Sequence, residues 1–93
     1  MTDPQTAARW QSADDVLHSK VDEEVVIMSI ANDRYYGLDP IASRIWELLR
    51  EPMTIDELCG RLMDEYEVDP DTCRSETLEL LAELEQRNLV RKV

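Results

Sequence analysis

The stretch Asp33-Arg34-Tyr35-Tyr36-Gly37-Leu38-Asp39-Pro40-Ile41-Ala42-Ser43-Arg44-Ile45-Trp46-Glu47-Leu48-Leu49 decides how the rest of the chain is read. Arg34 to Leu38 has strand composition, with two adjacent tyrosines, and it passes into a helix without a linker. Asp39 supplies an N-cap oxygen for the first unpaired helical N–H groups, and Pro40 fits the first turn, where its missing N–H is not needed. Ile41, Ile45, Leu48 and Leu49 then fall on one face of a helix that stops before Pro52.

Upstream of the junction, Val16 to Val21 and Val25 to Ile30 are rich in β-branched residues, and Asp22-Glu23-Glu24 between them predicts a hairpin. A second turn belongs at Asn32-Asp33, because Asn and Asp tolerate left-handed dihedrals. The result is a three-stranded meander in which Arg34–Leu38 is third and, in the order 1-2-3, an edge with unpaired N–H and C=O groups. Tyr36 and Leu38 share one face of that strand, and Tyr35 and Gly37 the other. The middle strand, however, carries apolar groups on both faces through Val25, Val26, Ile27, Met28 and Ile30. Turn length therefore decides which set meets the helices, and the second face is expected to be covered by a partner.

Downstream, Thr54-Ile55-Asp56-Glu57 is a capping box, and Met53 stands where a hydrophobic staple would meet Leu58. The helix it opens has Ile55, Leu58, Cys59, Leu62, Met63 and Tyr66 at a spacing of three to four. A third helix begins with Asp69 as cap and Pro70 in its first turn and runs to about Arg87. Its apolar stripe is Thr77, Leu78, Leu80, Leu81 and Leu84. Asn88 suits the left-handed position after it, with Leu89 as the following apolar contact. Leu89–Val93 reads as a short strand or a tail. Residues 1–12 are polar and contain Pro4, so a flexible tail is expected there, with Trp10 able to fold back onto an apolar patch. The expected fold is α+β: a three-stranded antiparallel β-meander followed by a three-helix, winged-helix-like bundle, over residues 13–93. Trp46 is expected in the core.

The whole chain of 93 residues is the size of one small domain. No apolar run approaches the ~20 residues needed to cross a bilayer and no signal-peptide pattern opens the chain, so a cytoplasmic location is expected. A net charge of -11, from 21 acidic and 10 basic residues, disfavours nucleic acid and anionic membrane as partners. Cys59 and Cys73 read as buried free thiols. The single histidine, His18, lies on the first strand with no nucleophile in prospect. Asp69-Pro70-Asp71 begins like a calcium loop but lacks the glycine and terminal glutamate that such a loop requires. Gly37 and Gly60 are too few and too scattered for a phosphate cradle. No catalytic residue, metal ligand or cofactor site is expected. A winged-helix DNA reader remains a rival in shape, but its third helix would carry Asp71, Glu76, Glu79, Glu83 and Glu85 against Arg74 and Arg87, the wrong sign for phosphate.

In its order of motifs the chain resembles the PqqD-like RiPP recognition elements, small domains that bind leader peptides of ribosomally made, post-translationally modified peptides. The resemblance runs over roughly residues 14–92. It rests on Arg34-Tyr35-Tyr36-Gly37-Leu38-Asp39, Ala42, Ile45-Trp46-Glu47-Leu48-Leu49, Met53-Thr54-Ile55-Asp56-Glu57-Leu58, Leu62, Tyr66-Glu67-Val68, Leu80-Leu81, Leu84 and Asn88-Leu89-Val90. Asn88 replaces the usual Gly, and Glu76-Thr77 a frequent Asp-Val. The Tyr-Tyr-Gly-Leu-Asp-Pro form is most similar to the stand-alone leader-binding subunit of lasso-peptide pathways. What the resemblance implies is a non-catalytic adaptor that takes the leader as an antiparallel strand beside the third strand. Arg34, Tyr35, Tyr36, Gly37 and Leu38 would supply that edge, and Arg74, Leu78, Leu81 and Glu85 the facing helix wall. The implied partners are the precursor leader peptide and a separate leader peptidase, with the cyclase as a further candidate, and a homodimer through the exposed sheet face when unbound. The alternatives are a peptide chaperone of a pyrroloquinoline quinone or radical-enzyme pathway, and an acidic winged-helix regulator.

Overall fold

The computed structural model describes residues 8–93. Among these the elements are β1 (Arg9–Ser12), β2 (Leu17–Val21), β3 (Glu24–Ser29), β4 (Arg34–Gly37), α1 (Pro40–Leu48), β5 (Met53–Thr54), α2 (Ile55–Glu65), α3 (Pro70–Gln86) and β6 (Val90–Lys92). The meander has the expected order β2-β3-β4, so β4 is an edge. Its two turns are held by left-handed dihedrals at Asp22 (φ 58°) and Asp33 (φ 54°), a conformation that Asp and Asn adopt more readily than other residues with a side chain.

The register settles which face is inward. Met28 pairs with Leu17 on one side and Tyr35 on the other, while Ile27 pairs with His18 and Tyr36. Val25, Ile27 and Ser29 point inward and are buried; Val26 and Met28 on the reverse are half-buried. The outer face therefore carries exposed apolar groups, with Leu17 58%, Val21 60% and Tyr35 74% accessible.

Helix α1 is joined to the end of this sheet by the Ser43 side chain. Asp39 caps it, with Oδ1 accepting from the Ala42 N–H at 2.8 Å. One turn in, the fully buried Ser43 hydroxyl accepts from the Val25 N–H (2.7 Å) and donates to the Leu38 carbonyl (3.0 Å). The β3–β4 ladder ends there, with the Leu38 N–H still donating to Val25 (2.9 Å), and the hydroxyl takes the two backbone groups that would otherwise be stranded in the core. Trp46, also fully buried, donates its indole N–H to the Leu89 carbonyl at 3.0 Å and accepts the Ser12 hydroxyl on its own carbonyl. His18 rests against it edge-on, with ring centroids 4.8 Å apart.

A second sheet, β5-β1-β6, was not anticipated and corrects the expected tail at its inner end. Residues 9–12 are a strand: Trp10 pairs with Met53 and Lys92, and Ser12 with Val90. Trp10 and Ser12 turn inward and are buried. The Ser12 N–H donates to Leu49 (2.7 Å) and the Ala13 N–H to Leu89 (2.9 Å), which ties β1 to both α1 and the chain end. Residues 1–7 lie outside the described residues.

The other two helices begin as their sequence predicts. Thr54 and Glu57 form the reciprocal capping box of α2, and Asp69 accepts from the Thr72 N–H at the start of α3. Helix α3 stops because Asn88 takes a left-handed turn (φ 59°). The Asn88 N–H bonds Glu85 (3.0 Å) and the Leu89 N–H bonds Leu84 (2.9 Å), a Schellman ending that delivers the fully buried Leu89 to the core.

Two outcomes follow from these joints. Ser43→Ala strands two buried backbone groups and should cost about 2 kcal/mol in urea unfolding. Asn88→Gly relieves the left-handed dihedral and should raise stability by about 0.5 kcal/mol, whereas Asn88→Ala should lower it by about 1 kcal/mol.

Candidate functional site

Neighbouring residues of a strand send their N–H and C=O groups to opposite sides, so the bond from the Leu38 N–H to Val25 sets the parity of all β4. Arg34, Tyr36 and Leu38 address β3. Tyr35 and Gly37 turn their backbone N–H and C=O to the open edge. Gly37 has no left-handed dihedral, and a Cβ built there meets nothing within 4 Å. Its use is the space it leaves, since a bare backbone admits a second backbone beside it.

The side-chain register answers which tyrosine looks where. Tyr35 stands on the exposed outer face. Tyr36 points to the helix side, half-buried, with the Arg87 guanidinium 5.6 Å above its ring and the Asn32 amide donating to its hydroxyl at 3.3 Å. The same Asn32 amide donates to the Arg87 carbonyl at 2.9 Å, which joins the turn before β4 to the end of α3.

Two hollows lie along α3 and together form what is here called the trough: the first against the β4 edge, the second against α1 and the segment that joins α2 to α3. The first, about 870 Å³, is lined by Asn32 to Gly37 with Gln86 and Arg87 of α3. The second, about 610 Å³, is more apolar; Ile41, Ile45, Leu62, Tyr66, Val68 and Leu80 line it, with Thr77 and Cys73 on α3. Asp39, Glu67 and Glu76 are the charged groups lining it.

Of the residues expected at a site, Arg34, Tyr35, Tyr36 and Gly37 do line the trough. Leu38 is buried beneath it (6% accessible). The residues expected on the helix wall, Arg74, Leu78, Leu81 and Glu85, do not line either hollow. With 100° per residue, Arg74, Leu78 and Glu85 lie roughly 60–100° to one side of Thr77, and Glu76, Leu80 and Arg87 about as far to the other. The trough uses the second flank. Arg74 faces α2 and pairs there with Asp56. Leu81 has no exposure at all, and Leu78 packs half-buried against the core.

Among the described residues no group of three His, Cys, Asp or Glu is placed to hold a metal ion, and no helix is long and apolar enough to cross a membrane. Cys59 and Cys73 are buried and free. Burial, then the neighbouring Cys73 thiol, pushes the Cys59 thiol up to about 11 from an ordinary 9.0. The unfolded thiol ionises first, so this residue's contribution to stability is intact below pH 9.0 and is lost as pH climbs towards about 11. A disulfide reagent such as DTNB at pH 8 should accordingly leave Cys59 unmodified in the native protein and titrate it in urea.

A winged-helix-like domain whose meander ends in the four-residue edge strand β4, beside a hollow closed by the end of α3, has the form of a strand-capturing domain. The comparisons narrow the class. The model of the family described as Coenzyme PQQ synthesis protein D (PqqD) matches residues 24–90, and the chain belongs to that family. Its structure is similar to that of TbiB1, solved in complex with the TbiA(beta) leader peptide: 32% identity, TM-score 0.80, covering 87% of this chain and 94% of that one. It is also similar to a lasso peptide synthetase B1 complexed with its leader peptide (17% identity, TM-score 0.76, covering 88% and 96%). A third similar fold is the PqqD truncation of Methylobacterium extorquens PqqCD, a stand-alone RiPP recognition element (19% identity, TM-score 0.75, covering 92% of each chain). No curated protein matches the chain.

Proposed function

We propose that the chain is a leader-peptide-binding adaptor of lasso-peptide biosynthesis. It captures the leader of a ribosomally made precursor as an added antiparallel strand on β4, and presents the attached core to a separate leader peptidase and then to the cyclase. The observation that carries this reading is the outward Tyr35 and Gly37 backbone beside the trough, in a chain 32% identical to a protein solved with a leader peptide. Backbone pairing supplies affinity, and the trough selects alternate side chains of the guest. No residue of the trough is assigned a catalytic role, and the reading places the protein in the cytoplasm. The functional unit is the domain from β1 to β6, so it begins before residue 13.

The outer face of the meander, with Leu17, Val21, Met28 and Tyr35, is the surface this reading gives to the peptidase or, in the unbound protein, to a second copy. A role in a pyrroloquinoline quinone or radical-enzyme pathway would use the same edge; the lasso reading is supported by the fold shared with a lasso peptide synthetase B1. An acidic regulator acting on DNA is disfavoured by the charge of α3.

The test is calorimetric titration of the protein with the TbiA(beta) leader peptide, the ligand solved on the 32% identical TbiB1. Gly37→Pro removes an outward N–H that β3 does not use, at a strand edge where proline is tolerated. It should weaken leader binding at least ~10-fold with native circular dichroism. Unchanged affinity would remove β4 from the interface.

A further inference from the structure

The trough is electrically polarised, in a chain whose overall charge would not suggest it. Its first hollow has two arginines, Arg34 and Arg87, against one carboxylate, Asp33. Its second has three carboxylates, Asp39, Glu67 and Glu76, and no base. Among the described residues none of these six side chains takes part in an ion pair; the pairs present are Arg9–Glu57, Lys20–Glu47, Arg44–Glu65, Arg74–Asp56 and Arg91–Asp14. A net charge of -11 makes the arginine end the exception that needs a cause.

The two ends are far enough apart to act separately. Thr77 and Arg87 are ten residues apart on α3, about 15 Å along the axis, against a screening length of about 8 Å at physiological salt. About five residues of extended guest span that distance. The α3 dipole leaves only about half a positive charge at the Asp69 end, too little to offset three carboxylates there.

Direction then follows from topology. Strand β4 runs from the arginine end towards Asp39, and a guest antiparallel to it runs from the acidic hollow to the arginine end. From this we infer that the guest strand is itself charge-polarised. Lysine or arginine flanks the N-terminal side of its apolar anchor, beside Glu67 and Glu76, and aspartate or glutamate flanks the C-terminal side, beside Arg34 and Arg87. Two apolar ridges alone would admit a strand in either direction; the polarity admits one, because the reversed guest places like charges together at both ends. The inference rests on strand addition at β4, and it specifies the peptide that such an edge accepts.

The experiment uses the leader of the titration above, fluorescein-labelled and made in two forms. One carries three lysines before the paired segment and three glutamates after it; the other exchanges them. Fluorescence anisotropy at 50 mM salt should favour the lysine-first form at least ~10-fold. The preference should fall below ~3-fold at 500 mM salt, and below ~3-fold in Glu67→Lys/Glu76→Lys at low salt. These positions are exposed and cap no helix; Arg34→Glu is a second, independent variant expected to reduce the preference in the same direction. Equal affinity for the two forms, or preference for the glutamate-first form, would overturn the polarity while strand addition stands. Failure of both forms to bind would overturn strand addition and the polarity with it.

Discussion

The Ser43 hydroxyl is the constraint on which the site depends. At the point where β3 and β4 stop pairing, it takes the Val25 N–H and gives its proton to the Leu38 carbonyl. Without it, the Val25 N–H and the Leu38 carbonyl would be unpaired in the core, and the end of β4 would be tied to β3 and α1 only by the Leu38–Val25 bond and the Asp39 cap. With it, Tyr36 is held towards α3, and the outward backbone of Tyr35 and Gly37 is held over the trough. A one-residue slip would exchange the tyrosines and turn the other set of backbone groups outward. A buried hydroxyl that satisfies two main-chain groups sets this choice, because neither group has another partner there.

Local signals made most of the fold legible. The Asp39-Pro40 cap, the Thr54–Glu57 box, the Asp69-Pro70 start and the Asn88 ending all act within a few residues, and each appears where the sequence places it. Of the second sheet only β6 was legible, as the short strand read at Leu89–Val93; β1 and β5 are short and come from distant parts of the chain. Arg9-Trp10-Gln11-Ser12 has no alternation strong enough to announce a strand; its pairing with Met53 and with Val90 to Lys92 is a tertiary event. Trp10 was the residue out of place in a polar tail, and it is the one that the core claims.

The site was half legible for a related reason. Strand parity and the edge position of β4 follow from hairpin order, so Arg34 to Gly37 could be named. The helix wall could not, because a helical apolar stripe has two rims of equal standing. Arg74, Leu78 and Glu85 border one rim and Glu76, Leu80 and Arg87 the other. Which rim faces β4 depends on how α3 crosses α2, and the ion pair of Arg74 with Asp56 records the outcome. Sequence periodicity locates a stripe; only packing says which of its borders opens to solvent.

An open sheet edge is a hazard for a free protein, since any second edge can pair with it. Here the hazard is limited by length and by charge. Strand β4 has four residues, and two copies that each carry a charge of -11 repel at long range. A guest strand escapes that repulsion if it is neutral or basic where it meets the acidic part of the trough. The acidity that keeps the edge from pairing with itself is thus the same property that leaves it available to a peptide of different charge. The two arginines at the other end prevent the discrimination from becoming mere attraction to any cation. An entirely basic peptide gains beside Glu67 and Glu76 and loses beside Arg34 and Arg87. On this reading the domain keeps an edge exposed and still distinguishes its guest with a single short strand.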